Sequence, residues 1–447
     1  MKDRSIGRRS LLTGIALAVG LALFGLGLPP QRTAALGPAA AHAEEPKRPW
    51  YDLGLGLDDI QENQALFLLG LTYAGQADIG EVLDTATRIT ADDEFSWYKE
   101  WLKTADRLNS AAQKGEAAGH KLSAGETYMR AATYYRAALM HYPNTKDPAI
   151  AQVAQKGLDA YEKAITLMGL PVQKVEIPYE GTTLPGYFWR SPVAKDKAPI
   201  LIAFQGRDGS PEDTKYLADQ AMKRGYHFLT FAGPGQGVTL RQKGLPFRPD
   251  WEKVITPVVD FAIAQPGVDP ERIALMGHSM GGFLAPRAAA FEPRIKALIA
   301  NPGYVNWYDT IVGYFAANAP DLLKLLESDP KGFDAVVAQA MTADPLMKWG
   351  FDDMAWKHGA TSPSDLMAKL KEYNLEPYVD QIKARTLVMD SEAEAFGAGQ
   401  AKKLYDALKS PKEYTLFTAE DTGLLHNQPG ALGVSSQRVF DWLDENI

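Results

Sequence analysis

Cysteine is absent from the 447 residues, which excludes disulfides, a cysteine nucleophile and thiolate metal sites. Histidine is scarce. The seven histidines are scattered and form no HExxH pair, so neither a metal site nor a cofactor site is read from them. Positive charge is in deficit as well: the formal net charge is −8, and residues 1–43 alone hold five Lys or Arg against one Asp. The remainder carries 42 basic and 54 acidic residues, a net of −12. Such a chain has no electrostatic footprint for nucleic acid or an anionic membrane surface, which leaves a small molecule as the expected partner; a homodimer stays open. No period of about 34 residues recurs, so a helical repeat array is not expected.

What is present begins with an address. Arg8 and Arg9 precede an apolar run from Leu11 to Leu28, and a Pro- and Ala-rich stretch then closes on Ala41-His42-Ala43. This order resembles a twin-arginine export signal with a small-residue cleavage site. It predicts that residues 1–43 are removed and that the mature chain works in the periplasm or outside the cell. The apolar run is just long enough to span a bilayer, so a retained anchor is the alternative.

The remaining length and a hydrophobic share of 46% suit one large domain with a smaller one attached. Residues 44–170 read as helical: Trp97, Trp101, Ala105 and Leu108 recur at spacings of three and four, and so do Ala131, Tyr134, Tyr135 and Ala138. Ser123 and Glu126 are spaced as a capping box opening a helix over 127–140. From residue 171 the pattern changes to short apolar runs. Strands are predicted over 175–179, 184–190, 199–204, 227–231, 273–276, 297–299, 386–389 and 414–417, with helices over 212–224, 251–264 and 436–443. Alternating strands and helices predict an α/β fold, a mostly parallel sheet with helices on both faces. Residues 305–383 interrupt that alternation as a long, aromatic-rich, lid-like insertion.

Within this frame MGHSMGG, residues 276–282, places Ser279 between a predicted strand and a predicted helix. A lone Gly-x-Ser-x-Gly occurs by chance, but a strand-to-helix turn is the setting a nucleophilic serine needs. Its glycines admit a strained turn, and the helix behind it offers N–H groups to developing negative charge. The partners then follow in the order acid, histidine. Only His358 and His426 lie after Ser279; His358 sits in a Trp-rich helical stretch, whereas His426 follows the last strand by one short loop and is the expected base. The acid is expected in DSEAEAFGAGQ, after the strand over 386–389: Glu394 has loop position and reach, and Asp390, closer to the strand, is its rival. The oxyanion donors expected are the backbone N–H of Met280 and one from FQGRDGS, with Arg207 as candidate. FAGPGQG, 231–237, does not fit Gly-x-Gly-x-x-Gly and reads as a turn after a strand.

SAGETYMRAATYYRAA, GPGQG, GLPFRPDWE, DPERIALMGHSMGGFLAPRAAAFE, FGAGQAKKLYDAL and HNQPGA together resemble a subfamily of α/β-hydrolases that includes 2,6-dihydroxypseudooxynicotine hydrolase and fungal hydrolases that shorten polyketide pigment precursors. The resemblance runs from about residue 95 to the C-terminus. It implies an α/β-hydrolase core under an N-terminal helical cap, with Ser279 as nucleophile, His426 as base and Glu394 where relatives carry Asp. It also implies cleavage of an ester or of a carbon–carbon bond beside a ketone, and Asp309 as an additional pocket acid. Gln205-Gly206-Arg207-Asp208 and Thr422-Gly423-Leu424-Leu425 depart from the relatives' patterns, so the substrate is expected to differ. The aromatics of the insertion point to an aromatic or extended acyl group. A peptidase and a noncatalytic binding protein are the other readings the motif admits.

Overall fold

The computed structural model describes residues 49–90 and 93–447. The export signal read over 1–43 lies outside the described residues. Eight strands form one sheet: β1 Val172–Tyr179, β2 Thr182–Trp189, β3 Ala198–Phe204, β4 His227–Phe231, β5 Val268–His278, β6 Ile295–Asn301, β7 Arg385–Ser391 and β8 Lys412–Phe417. Their spatial order is β1-β2-β4-β3-β5-β6-β7-β8. β2 pairs antiparallel with β1 and with β4, and every later pairing is parallel.

Burial explains why the central runs showed no alternation. Every residue of β3 and of β4 is buried, because helices cover both faces there. At the edges, β1 keeps exposed positions between buried ones, and in β8 only Phe417 is buried. The apolar core accordingly divides into two layers, one on each face of the sheet.

Three long helices, Ser96–Ala117, Lys121–Ala138 and Ala149–Leu167, form the N-terminal cap. Trp97, Trp101, Ala105 and Leu108 are all buried, as their spacing predicts. Their core continues into one layer of the sheet, where Tyr161 meets Tyr187 of β2 with ring centroids 4.9 Å apart. The capping box is not formed. The second cap helix starts at Lys121, six residues before the expected position, and His120 at its N-cap makes no side-chain capping bond. Packing overrides the local signal: a Cβ on Gly125 would lie 2.7 Å from Met168 Cγ, so this turn is pressed against the third helix as part of a crossing.

Between β6 and β7 the chain forms five helices, Trp307–Asn318, Pro320–Ser328, Pro330–Ala343, Pro345–His358 and Pro363–Leu370. The last four each open with proline at the first turn, where the missing N–H costs nothing. This insertion reaches the cap: Trp349 stacks on His141 with ring centroids 4.5 Å apart and planes 24° from parallel.

Candidate active site

Ser279 directly follows the end of β5 and precedes the helix Gly281–Ala289. Its φ is +55°, in the left-handed region that a residue with a side chain enters at a cost of roughly 1–3 kcal/mol. Two contacts hold it there: its N–H donates to Asn301 O at 2.7 Å and to Asn427 Oδ1 at 3.1 Å. The flanking glycines are sterically required. A Cβ on Gly277 would lie 2.0 Å from Gly281 O, and one on Gly282 would lie 1.8 Å from Pro302 O. Any larger residue would push the turn off the strand.

His426 Nε2 lies 2.9 Å from Ser279 Oγ, and His426 Nδ1 lies 2.8 and 3.0 Å from the two carboxylate oxygens of Glu394. Sequence reasoning left two acids open, and geometry separates them. Glu394 is buried beside His426, whereas Asp390 accepts from the Tyr414 hydroxyl at 2.6 Å and from Ser391 N–H at 2.8 Å. Burial raises the Asp390 carboxyl above its ordinary range, against the pull of those two hydrogen bonds. Glu394 Oε1 also accepts from Phe396 N–H at 2.9 Å, and the Phe396 ring packs 4.5 Å from the imidazole. The acid, the histidine and the apolar cover over them thus come from one short loop and its neighbour.

A second network, with no local signature in the sequence, holds the histidine loop. Gln428 is fully buried and pairs reciprocally with Asn301, Asn301 Nδ2 donating to Gln428 Oε1 at 2.9 Å and Gln428 Nε2 to Asn301 Oδ1 at 3.1 Å. Its Nε2 also donates to Ser391 Oγ at 2.9 Å. The His426 loop is therefore tied to the ends of β6 and β7, on either side of the residues it serves. HNQPGA was noticed only as a string; its Asn bonds the serine backbone and its Gln anchors the loop.

His278, directly before Ser279, is buried, with Nε2 3.0 Å from the Tyr216 hydroxyl. Burial pushes its pKa down to about 4, helped by the nearby His426. Burial thus favours its uncharged form beside the serine.

Among the described residues, the N–H groups of Met280 and Arg207 make no hydrogen bond to a protein acceptor. Gly206 brings their two segments together: a Cβ on it would lie 2.6 Å from Met280 N and 2.8 Å from Ser279 Cβ. The Arg207 side chain is mostly buried and pairs with Asp208, Nε to Oδ2 at 3.3 Å, while Lys357 Nζ lies 2.6 Å from Asp208 Oδ1 and 2.7 Å from Asp353 Oδ2. Burial opposes the charge on Asp208, but Arg207 and Lys357 together outweigh it and hold the carboxyl well below its usual range. The ion pair takes up the Arg207 side chain and leaves its backbone to the site.

Ser279 and His426 open onto a cavity of about 650 Å³. Its floor holds Ser279, His426, Asn427 and the Gln205–Gly209 loop; its roof holds residues from Pro49 to Phe67 together with Arg136, and one wall holds Trp307, Thr310 and Ile311. The size suits a small organic molecule. Asp309 lies in the first turn of the helix Trp307–Asn318 and is not among the lining residues. Residues 49–67 belong to the N-terminal helical region that, with the insertion, is expected to wall the pocket, although nothing in that stretch resembles a motif.

A mostly parallel sheet with a serine elbow after β5, an acid after β7 and a histidine after β8 is the architecture of an α/β-hydrolase. Comparison with known proteins agrees. The family described as esterase FrsA-like matches residues 74–306. The chain is 33% identical to hydrolase LUC6 of a Fusarium species over 409 residues, 86% of this chain and 95% of the relative. It is also 33% identical to alpha/beta hydrolase psoB of Aspergillus fumigatus over 410 residues, 86% of this chain and 92% of that one. The crystal structure of 2,6-dihydroxy-pseudo-oxynicotine hydrolase superposes with a TM-score of 0.66 at 20% identity, covering 84% of this chain and 95% of the other. The chain belongs to the FrsA-like family of α/β-hydrolases and is a hydrolase.

Proposed function

We propose that this hydrolase works through a Ser279-bound acyl-enzyme on a small, aromatic or extended acyl substrate. Ser279 Oγ attacks the carbonyl carbon while His426 Nε2 takes its proton, and Glu394 holds the opposite N–H and offsets the charge of the imidazolium. The N–H groups of Met280 and Arg207 receive the oxyanion. When the tetrahedral adduct collapses, the bond to the leaving group breaks and His426 returns the proton to it. A water activated by His426 then repeats the sequence on the acyl-enzyme and frees Ser279. The observation that carries this reading is the continuous chain of contacts from Glu394 through His426 to Ser279, which faces a cavity.

Ester and carbon–carbon cleavage share every step up to the collapse. They differ in the leaving group, an alkoxide protonated on oxygen or a carbanion protonated on carbon. The ester is the default of the elbow motif and of the family's description; the resemblance of the sequence to the pigment-precursor and pseudooxynicotine hydrolases favours the carbon–carbon bond. Twin-arginine export would place the enzyme in the periplasm or outside the cell, with its working chain starting near Glu44.

The test is intact-mass labelling of residues 44–447 with a small fluorophosphonate, with Ser279→Ala and His426→Ala alongside, followed by panels of esters, diketones and peptides. One label per chain, lost with Ser279→Ala and slowed with His426→Ala, is the expected result. Absence of labelling in folded wild-type protein would overturn the acyl-enzyme reading in favour of a binding protein.

A further inference from the structure

As a turn after a strand, GPGQG leaves its glutamine without an evident task. We propose that Gln236 is a positioning residue that aims the oxyanion-binding N–H groups at the cavity, a role that rests on the acyl-enzyme reading above. Its side chain is buried at 2% exposure. Oε1 accepts from Gly233 N–H at 2.9 Å, and Nε2 donates to Gln205 O and, at 3.2 Å, to Gly206 O. A donor on one side and two carbonyls on the other leave a single assignment for the amide.

The consequence follows from peptide geometry. In a trans peptide the N–H points opposite to the C=O of the preceding residue. Holding the carbonyl of Gln205 therefore sets the direction of Gly206 N–H, and holding the carbonyl of Gly206 sets that of Arg207 N–H. Neither N–H has a protein acceptor among the described residues. Gly206 lies against Met280 N, and Gln205, Gly206 and Arg207 line the same cavity as Ser279. One buried amide thus grips this loop from behind and turns its free donors toward the serine. Preorganisation of this kind matters because donors fixed before the charge develops need no reorientation during the reaction. Loss of one donor costs roughly 10²–10³ in turnover; loss of its alignment should cost part of that.

The experiment measures kcat, KM and the affinity for a trifluoromethyl ketone in wild type, Gln236→Ala and Gln236→Glu, with active sites counted by fluorophosphonate. For Gln236→Ala the expected result is a kcat about 10–100-fold lower, KM within about threefold, and ketone affinity falling in step with kcat. The isosteric Gln236→Glu should lose more, because a carboxylate there faces two carbonyl oxygens. Its activity relative to wild type should recover as the pH falls, because a protonated carboxyl can donate one hydrogen bond. A merely structural role would lower the melting temperature and leave kcat per titrated site and ketone affinity unchanged; that result overturns the proposal. Should Gln236→Ala not fold, the pH dependence of the Gln236→Glu to wild-type ratio decides, a flat ratio overturning it. If wild type takes up no fluorophosphonate, the acyl-enzyme reading fails and the proposal falls with it.

Discussion

The floor of the cavity is assembled from residues that follow the C-terminal ends of strands: the Gln205–Asp208 loop after β3, Ser279 after β5 and His426 after β8, with Glu394 after β7 buried behind the histidine. Its roof comes from elsewhere, from residues 49–67 and Arg136 of the cap, with the insertion as a side wall. Each floor residue is placed by its own strand and reinforced by buried amides such as Gln428, so reactive geometry survives changes in what covers it. The roof is placed by helices docking across large sequence distances. The sheet therefore places the candidate reactive side chains, and what is packed on top supplies the surface that faces them.

That division can be broken at several points. The largest effect belongs to the floor: Ser279→Ala should lower turnover of an activated ester by about 10⁶-fold, and retained turnover would remove the serine from the mechanism. Glu394→Gln should cost about 10⁴-fold, against less than about tenfold for Asp390→Asn, and a reversal of that order in the same steady-state assay would exchange the two acids. Where the insertion meets the cap, Trp349→Ala removes the ring stacked on His141 and should cost about 3–5 kcal/mol in denaturant unfolding.

Acid should weaken the molecule more gradually. His141, His278 and His358 are buried, and burial pushes their pKa values down to about 4, 4 and 3. Because the folded-state values lie below the unfolded value near 6.5, the unfolded chain takes up these protons first. Stability is full above pH 6.5 and falls as the pH drops towards about 4. Unfolding in urea at pH 7 and pH 5 should differ by about 2 kcal/mol for each such histidine, and equal midpoints would refute it. The smallest effect belongs to the roof. A chain starting at Leu57 should show a KM raised about tenfold and a broadened substrate range, with kcat moved less; a loss confined to kcat would mean that the roof shapes the reactive geometry after all.

Much of the floor was legible because its signals are local. The glycines around Ser279, the order of acid and histidine after it, and the loop positions of Glu394 and His426 follow from how one strand ends and the next helix begins. The strand positions were legible for the same reason, since full burial of β3 and β4 writes itself as uninterrupted apolar runs. The capping box at Ser123 shows where local signals fail. A short polar pattern is worth about 1 kcal/mol, and the crossing at Gly125 outweighs it.

The amino-acid sequence by itself determined the sheet, the elbow and two of the residues that meet at it, Ser279 and His426, because each depends on turn sterics and on periods of two and 3.6 residues that neighbours along the chain impose. Only the tertiary structure decided between Glu394 and Asp390, gave Gln236 and Gln428 their partners, and brought residues 49–67 over the serine. Those outcomes depend on which buried donor finds which acceptor across 31 to 127 positions, and on docking across more than 200, and no local pattern encodes such a pairing.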